Sequence, residues 1–118
     1  MEIVVHGGAG AWPGERREAA REGIERAVRA GYAVLAGGGA ALEAAQEAVV
    51  VLEDDPVFNA GRGSVLDERG SVLMDAALMR GSAAAAGAVA AVREIRNPIR
   101  AARAVLDEGR HVLLVGEH

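Results

Sequence analysis

The sequence predicts an α+β fold, a layered sandwich in which helices cover a largely antiparallel sheet. Three observations carry that reading. Strand-like and helix-like segments are segregated, in the order strand, two helices, three consecutive strands, helix, strand. The turns between the three central strands are too short for crossover helices, which a parallel doubly wound sheet requires. Residues 83–92 are nearly all alanine, glycine and valine, the composition of a strand buried on both faces.

Taken in order, Glu2-Ile3-Val4-Val5-His6 is a β-branched run that enters the turn Gly7-Gly8-Ala9-Gly10, and so reads as a first strand. From Glu15 the apolar residues Ala20, Ile24, Ala27, Val28, Tyr32 and Leu35 recur at helical spacing. Arg16, Arg17, Arg21, Glu22, Glu25 and Arg29 lie mostly off that stripe and read as a solvated face with ion pairs. Gly37-Gly38-Gly39 ends the helix. A second helix runs from about Ala40 to Leu52, with Leu42, Ala45, Val49 and Leu52 on one face. Val50 and Val51 add apolar surface, so it is expected to be covered on more than one side. Asp54-Asp55-Pro56 stops it, since the residue before proline is pushed out of helical geometry.

Two runs, Ser64-Val65-Leu66-Asp67 and Ser71-Val72-Leu73-Met74-Asp75, flank Glu68-Arg69-Gly70 and read as a hairpin. Asn97-Pro98 is a helix start, an N-cap amide followed by proline at the first helical position. Ile99, Ala102, Val105 and Leu106 form its apolar stripe, and Gly109 suits its C-terminal cap. His111-Val112-Leu113-Leu114-Val115-Gly116 reads as a short buried strand. Met74 and Met79 read as core.

Composition removes several chemistries. A chain of 118 residues is one domain or part of one, and 51% hydrophobic residues supply a core that is mostly Ala, Val and Leu. The formal charge of −4, without a basic cluster, leaves no footprint for nucleic acid. Without a secretory signal or a long uncharged apolar run, the reading is a cytoplasmic chain with no membrane partner. There is no cysteine, lysine or threonine, and the only serines are Ser64, Ser71 and Ser82. A mechanism that needs a catalytic cysteine, lysine or threonine must obtain it from another chain.

His6-Gly7-Gly8-Ala9-Gly10 sits between a strand and a helix, where phosphate loops occur. It does not fit one, because Pro13 stands where the dinucleotide fingerprint needs glycine and there is no P-loop lysine. A structural turn with His6 bonded locally, or a loop whose backbone amides line a site, remain as readings. His6, His111 and His118 lack zinc-ligand spacing. Glu53-Asp54-Asp55 reads first as solvated surface charge, although carboxylates and carbonyls in an irregular loop also suit a hard cation. Asp67 is an ordinary turn residue. Asp75, within an apolar strand, needs a partner if buried. Asn59, at the head of Asn59-Ala60-Gly61-Arg62-Gly63, is by residue type a turn former with both a donor and an acceptor to offer.

Five stretches in this order resemble the N-terminal half of the plant-type asparaginase/isoaspartyl peptidase family. They are His6-Gly7-Gly8-Ala9-Gly10, Asn59-Ala60-Gly61-Arg62-Gly63, Asp75-Ala76 through Met79-Arg80-Gly81, Gly87-Ala88-Val89-Ala90 with Asn97-Pro98, and His111 through Glu117. The His-Gly-Gly-Ala-Gly form is similar to this branch rather than to the glycosylasparaginases that share the fold. The resemblance implies an N-terminal nucleophile hydrolase, an αββα sandwich of which only the N-terminal half, residues 1–118, would be in this chain. Such precursors cut themselves to free a threonine at the head of a β chain. Its hydroxyl attacks a side-chain amide or isopeptide carbonyl, with its own α-amine as base.

By matched position the resemblance implies roles for residues present here, none of them the nucleophile. Asn59 would orient the nucleophile, and Gly7 and Gly8 would form the loop linked to self-cleavage. Backbone oxygens of Leu52, Glu53, Asp55, Phe58, Ala60 and Arg62 would hold a structural sodium ion. No cofactor is implied for the chemistry. The expected partners are a small-molecule substrate and a β chain beginning with threonine, assembled as an (αβ)2 heterotetramer. The chain stops at Glu117-His118, where the family continues into a helix and a linker. It therefore reads as an α-chain segment, inactive alone, with a truncated chain that only oligomerises through its exposed sheet as the alternative.

Overall fold

The charged run after Pro13 forms α1 (Gly14–Ala36) in the computed structural model of the chain, which describes residues 1–116. Its buried line is Ala20, Gly23, Ala27 and Gly31, all small. The larger apolar residues expected there behave differently: Ile24, Val28 and Leu35 are half-buried and Tyr32 is exposed. The cause is the close approach of α2 (Ala41–Asp54). A Cβ built on Gly31 would stand 2.8 Å from the Ala44 carbonyl oxygen and 3.3 Å from the Ala48 Cβ. On the solvent side Arg21 bonds Glu18 and Glu25, as expected for a solvated face.

Helix α2 is covered on two sides, as its apolar surplus predicts. Ala44 and Ala48 face α1, while Leu42, Val49 and Val50 pack with Leu78 of the sheet and with Ile99 and Leu106 of the helix at residues 98–108. Ala45, expected on the apolar face, is exposed.

The sheet is smaller than the sequence implies. It comprises β1 (Met74–Arg80), β2 (Ala85–Val92) and β3 (Leu113–Val115), in spatial order β1-β2-β3. β1 and β2 are antiparallel, but β2 and β3 are parallel, because α3 (Pro98–Glu108) carries the chain back between them. Two expected strands do not form. Residues 2–6 belong to no strand among the described residues; Ile3 instead points at the Gly31 position of α1. The expected hairpin before β1 is reduced to one bridge, Leu66 to Val72, closed by Asp67 accepting the Arg69 and Ser71 N–H groups.

Helix α3 packs on one face of the sheet through Ile99, Ala102, Val105 and Leu106, the stripe expected from spacing. The contact is set by Gly87: a Cβ there would collide with the Ala102 carbonyl and the Leu106 amide nitrogen of α3. Asn97 precedes the helix but makes no side-chain cap, and Gly109 ends it with φ 73°. Asp75 finds its partner across the sheet. Its Oδ1 accepts the Ala91 N–H at 2.8 Å, beside a register shift between Met74 and Ala76, where Ala91 itself takes φ 54°. That is a β-bulge held by a carboxylate.

The second face of the sheet is not covered among the described residues, contrary to the expectation that residues 83–92 are buried on both sides. Ala77 and Met79 pair with Ala88 and Ala86, and Ala88 and Ala90 with Leu113 and Val115, so these residues share one face. Met79, Leu113 and Val115 are 67%, 51% and 63% exposed. Met79 is thus not core, whereas Met74 is, and β3 is exposed rather than buried. The Cα atoms span 43 × 40 × 19 Å, a slab of helices laid on one side of a sheet. Glu117 and His118 lie outside the described residues, and no described helix is long and apolar enough to cross a membrane.

The Gly87 contact predicts that Gly87→Ala pushes α3 off the sheet and lowers stability by about 1–3 kcal/mol in a denaturant titration. Gly81→Ala is the control: nothing lies within 4 Å of its Cβ position, and the change should stay within about 0.5 kcal/mol.

Candidate functional site

The last two residues of α2 and the Asp55 that caps it carry three carboxylates in succession, and none of them is simply solvated. Glu53 is 2% exposed and its Oε1 accepts the Ile99 N–H at 2.9 Å, at the first turn of α3. Burial pushes its pKa up, partly offset by the bond from Ile99 and by the neighbouring Asn97 amide. Asp54 receives Arg96 through two nitrogens, at 3.2 and 3.0 Å, and the Asn97 amide at 3.1 Å. Those hydrogen bonds hold the Asp54 pKa below the usual carboxylate range. Asp55 pairs with Arg26 of α1 at 2.7 Å and accepts the Val57 N–H at 3.0 Å. The surface-charge reading of this segment is therefore corrected. The partners lie 29 to 46 residues away in the chain, so no local spacing announces them.

Anchored at that end, residues 55–64 fold into a tight loop. Phe58 is buried, and its ring fills the space left by two glycines. A Cβ on Gly7 would lie 2.7 Å from the Phe58 ring, and one on Gly23 would lie at the same distance. Trp12 meets Phe58 edge-on, ring centroids 6.0 Å apart, and donates its indole N–H to the Gly8 carbonyl at 3.4 Å. His6 Nδ1 accepts the Gly8 N–H at 3.1 Å, the local bond that a structural turn calls for. The glycine loop is thus strapped over Phe58 by the Trp12 indole and the His6 imidazole.

A cavity of about 380 Å³ is lined by His6, Gly7, Gly8, Leu52, Phe58, Asn59 and Ala60. Gly7, Gly8 and Asn59, far apart in sequence, therefore share one hollow. Asn59 Oδ1 accepts the Val65 N–H at 3.0 Å, while its Nδ2 group makes no hydrogen bond among the described residues. One half of the amide serves the turn and the other half is free to donate. Asn59 also lines a second cavity, of about 370 Å³, with Glu53, Ser64 and Asp75.

Of the six residues suggested as backbone ligands of a cation, Asp55, Phe58, Ala60 and Arg62 lie along this loop, and Leu52 and Glu53 lie in the last turn of α2 that leads into it. Gly61, at φ 51°, presses against the Glu53 carbonyl, and Gly63 against the carbonyls of Phe58 and Pro56, so a Cβ at either position would collide with oxygen. The Asp55 and Ala60 carbonyls each accept one loop N–H, from Phe58 and Gly63. A carbonyl oxygen has two lone pairs, so both keep acceptor capacity. Hard neutral oxygens crowded into one irregular turn suit an alkali or alkaline-earth ion. No group of three His, Cys, Asp or Glu side chains could hold a metal among the described residues.

The family model described as asparaginase matches residues 1–118. The chain belongs to that family. It is 53% identical over 115 residues to the isoaspartyl peptidase/L-asparaginase of Xenopus laevis, covering 98% of this chain and 37% of that protein. Over 118 residues it is 53% identical to the plant-type L-asparaginase of Pyrococcus abyssi, covering 99% of this chain and 38% of the relative. The isoaspartyl peptidase/L-asparaginase of Danio rerio is 50% identical over 115 residues, with 98% of this chain and 37% of the relative covered. The chain thus spans little more than a third of the length of these family members.

Packing of Gly7 on Phe58 predicts that Gly7→Ala displaces the ring and loosens the glycine loop. The chain's single tryptophan reports it: the Trp12 emission should shift to longer wavelength, while Gly10→Ala, with nothing within 4 Å of its Cβ position, leaves the emission unchanged.

Proposed function

We propose that this chain is the non-nucleophilic, α-chain part of an amidohydrolase that releases L-aspartate from L-asparagine and from isoaspartyl peptides. The observation that carries the reading is the shared cavity of Gly7, Gly8 and Asn59, within a chain whose full length matches the asparaginase family. Relatives named isoaspartyl peptidase/L-asparaginase and plant-type L-asparaginase supply the substrate class.

In this reading the nucleophile is the threonine of a β chain, since this chain has none. The threonine hydroxyl adds to the amide carbonyl while its α-amine takes the proton. The tetrahedral intermediate expels ammonia or an amino acid, and water then hydrolyses the acyl-enzyme to aspartate. Asn59 is a positioning residue: its Oδ1 is committed to Val65, and its Nδ2 donates toward the threonine or the residues around it. Gly7 and Gly8 leave the mouth of the cavity free of side chains, so the end of the β chain can approach the backbone closely. A sodium ion held by the carbonyls of Leu52, Glu53, Asp55, Phe58, Ala60 and Arg62 would stiffen the loop that presents Asn59. It would take no part in bond breaking.

The open apolar face of the sheet is where the β chain would add its own sheet. Such faces pack about 10 Å apart, and the result would be the αββα sandwich, paired as (αβ)2 in the cytoplasm. The same exposed face, with Met79, Leu113 and Val115, favours a second reading in which the chain only self-associates. Light scattering separates the two: a chain that stays associated and never engages a β chain supports the second reading.

Asn59→Ala and Asn59→Asp, assayed for aspartate release in the assembly with a β chain, test the role assigned to the amide. Both variants should lower kcat by about a hundredfold, the cost of a nucleophile held out of line. Asn59→Asp keeps the acceptor for Val65 and should melt at the wild-type temperature. Unchanged turnover in both makes Asn59 a turn residue only, and aspartate release by the 118-residue chain alone refutes the division of labour. If sodium occupies the loop, the melting temperature rises with sodium chloride but not with choline chloride, as for any ligand bound to the native state alone.

A further inference from the structure

The glycine loop that lines the Asn59 cavity is held by side chains alone. Among the described residues no backbone–backbone hydrogen bond involves residues 6–12. Gly8 sits at φ 110°, a conformation open to glycine and costly for other residues. Both of its polar groups are taken by neighbouring side chains: the N–H is donated to His6 Nδ1 at 3.1 Å, and the C=O accepts the Trp12 indole N–H at 3.4 Å. The second bond is longer than the 2.9–3.0 Å usual for N–H···O, so it holds only as long as the indole is kept in place. Three contacts keep it there. The ring meets Phe58 edge-on, the Arg16 guanidinium carbon lies 5.7 Å from the ring centroid, and Arg17 Nε donates to the Trp12 carbonyl at 3.2 Å. Trp12 itself does not line the cavity of about 380 Å³, whose lining includes Gly7 and Gly8 from one loop and Phe58 and Asn59 from the other. It touches both loops from outside, Gly8 through the N–H and Phe58 through the ring.

We propose that Trp12 is a positioning residue for the hydrolysis, a wedge that sets the spacing between the glycine loop and the Asn59 turn. Trp12 lies outside the five stretches that resemble the family, and it belongs to no helix or strand. An indole suits the task because it joins a rigid apolar body to a single donor. Without the N–H, the Gly8 peptide is free to turn, since glycine adopts either sign of φ at little cost. Without the ring, Phe58 loses its edge-on neighbour, and Asn59 follows Phe58 directly in the chain. The inference rests on the reading in which Asn59 and the glycine loop together receive the β-chain threonine. It adds what fixes the separation of the two, a residue that never meets substrate.

NMR relaxation dispersion on the 118-residue chain tests the wedge without turnover, because it reads μs–ms exchange at single amides. The Gly8 and Asn59 amides should be quiet in the wild type. Trp12→Phe keeps a ring against Phe58 but removes the donor, and should produce dispersion at Gly8 while Asn59 stays quiet. Trp12→Ala removes both contacts and should produce dispersion at Gly8 and Asn59 alike. A quiet Gly8 in both variants overturns the proposal. In the assembly with a β chain, Trp12→Phe should lower kcat about tenfold, the equivalent of one hydrogen bond. Trp12→Ala should lower it about a hundredfold, the cost of a reactant held out of line. KM should be unchanged in both, and Trp12→Phe should melt at the wild-type temperature; a merely structural role would lower the melting temperature and the active fraction instead. Unchanged kcat in both variants, with Gly8 in exchange, reduces Trp12 to packing and overturns the proposal as well. Should Trp12→Ala fail to fold, Trp12→Phe decides by the same two readouts. A wild-type assembly that releases no aspartate refutes the activity proposed above, whereas a quiet Gly8 in the variants refutes the wedge, so the two failures are told apart.

Discussion

The bond from the Ile99 N–H to the Glu53 carboxyl joins the end of α2 to the start of α3, and the loop that presents Asn59 hangs from that junction. A carboxyl group at a helix N-terminus meets unsatisfied N–H groups and the positive end of the helix dipole. A hydrogen bond to a charged group contributes about 1.5–3 kcal/mol, and a buried polar atom left unpaired costs about as much. Glu53 has one oxygen in each condition, so its net effect on stability is small. Its consequence is geometric: it decides where the α2–α3 corner lies. Asp54 and Asp55 divide the neighbouring directions, one tied to Arg96 and Asn97, the other to Arg26.

Close approach through glycine is the second constraint. Gly31 lets α1 meet the backbone of α2, Gly87 lets α3 meet β2, and Gly61 and Gly63 let the loop fold back on its own carbonyls. Each contact brings main chain, not side chain, to the interface, which explains a core with a single phenylalanine. Small residues pack well only where both partners are small and the backbones are held at the right spacing. The layer α3 makes on the sheet meets that condition. The opposite face, lined by Ala77, Met79, Ala86, Ala88, Leu113 and Val115, has the same composition and nothing against it among the described residues.

Much of the helical architecture was legible from spacing and punctuation. α3 lies where Asn97-Pro98 and Gly109 place it, and its apolar stripe is the one periodicity shows. Strands were harder to read, for a physical reason. Residues 2–6 carry a strand's composition, yet a strand exists only when its N–H and C=O groups are paired, and pairing is not a local property. The same holds for the hairpin before β1, where one bridge forms. Asn97 looks like an N-cap by residue type, but its amide is drawn to Asp54 by a long-range bond. The stripe on α1 was displaced because Gly23 and Gly31, invisible to a hydrophobic count, mark the face that meets a neighbour.

By itself the sequence determined the family, the three helices and the residues present for chemistry, because identity, periodicity and composition are written along the chain. It also determined that Asn59 sits in a glycine-bounded turn, since Gly61 and Gly63 follow it directly. Only the tertiary structure decided that Asn59 faces the Gly7-Gly8 loop across one cavity and Glu53 across another. It alone decided that the acidic segment is an anchor rather than a solvated patch. These are matters of pairing between residues tens of positions apart. Such pairings are set by how the layers close, and no local pattern encodes them.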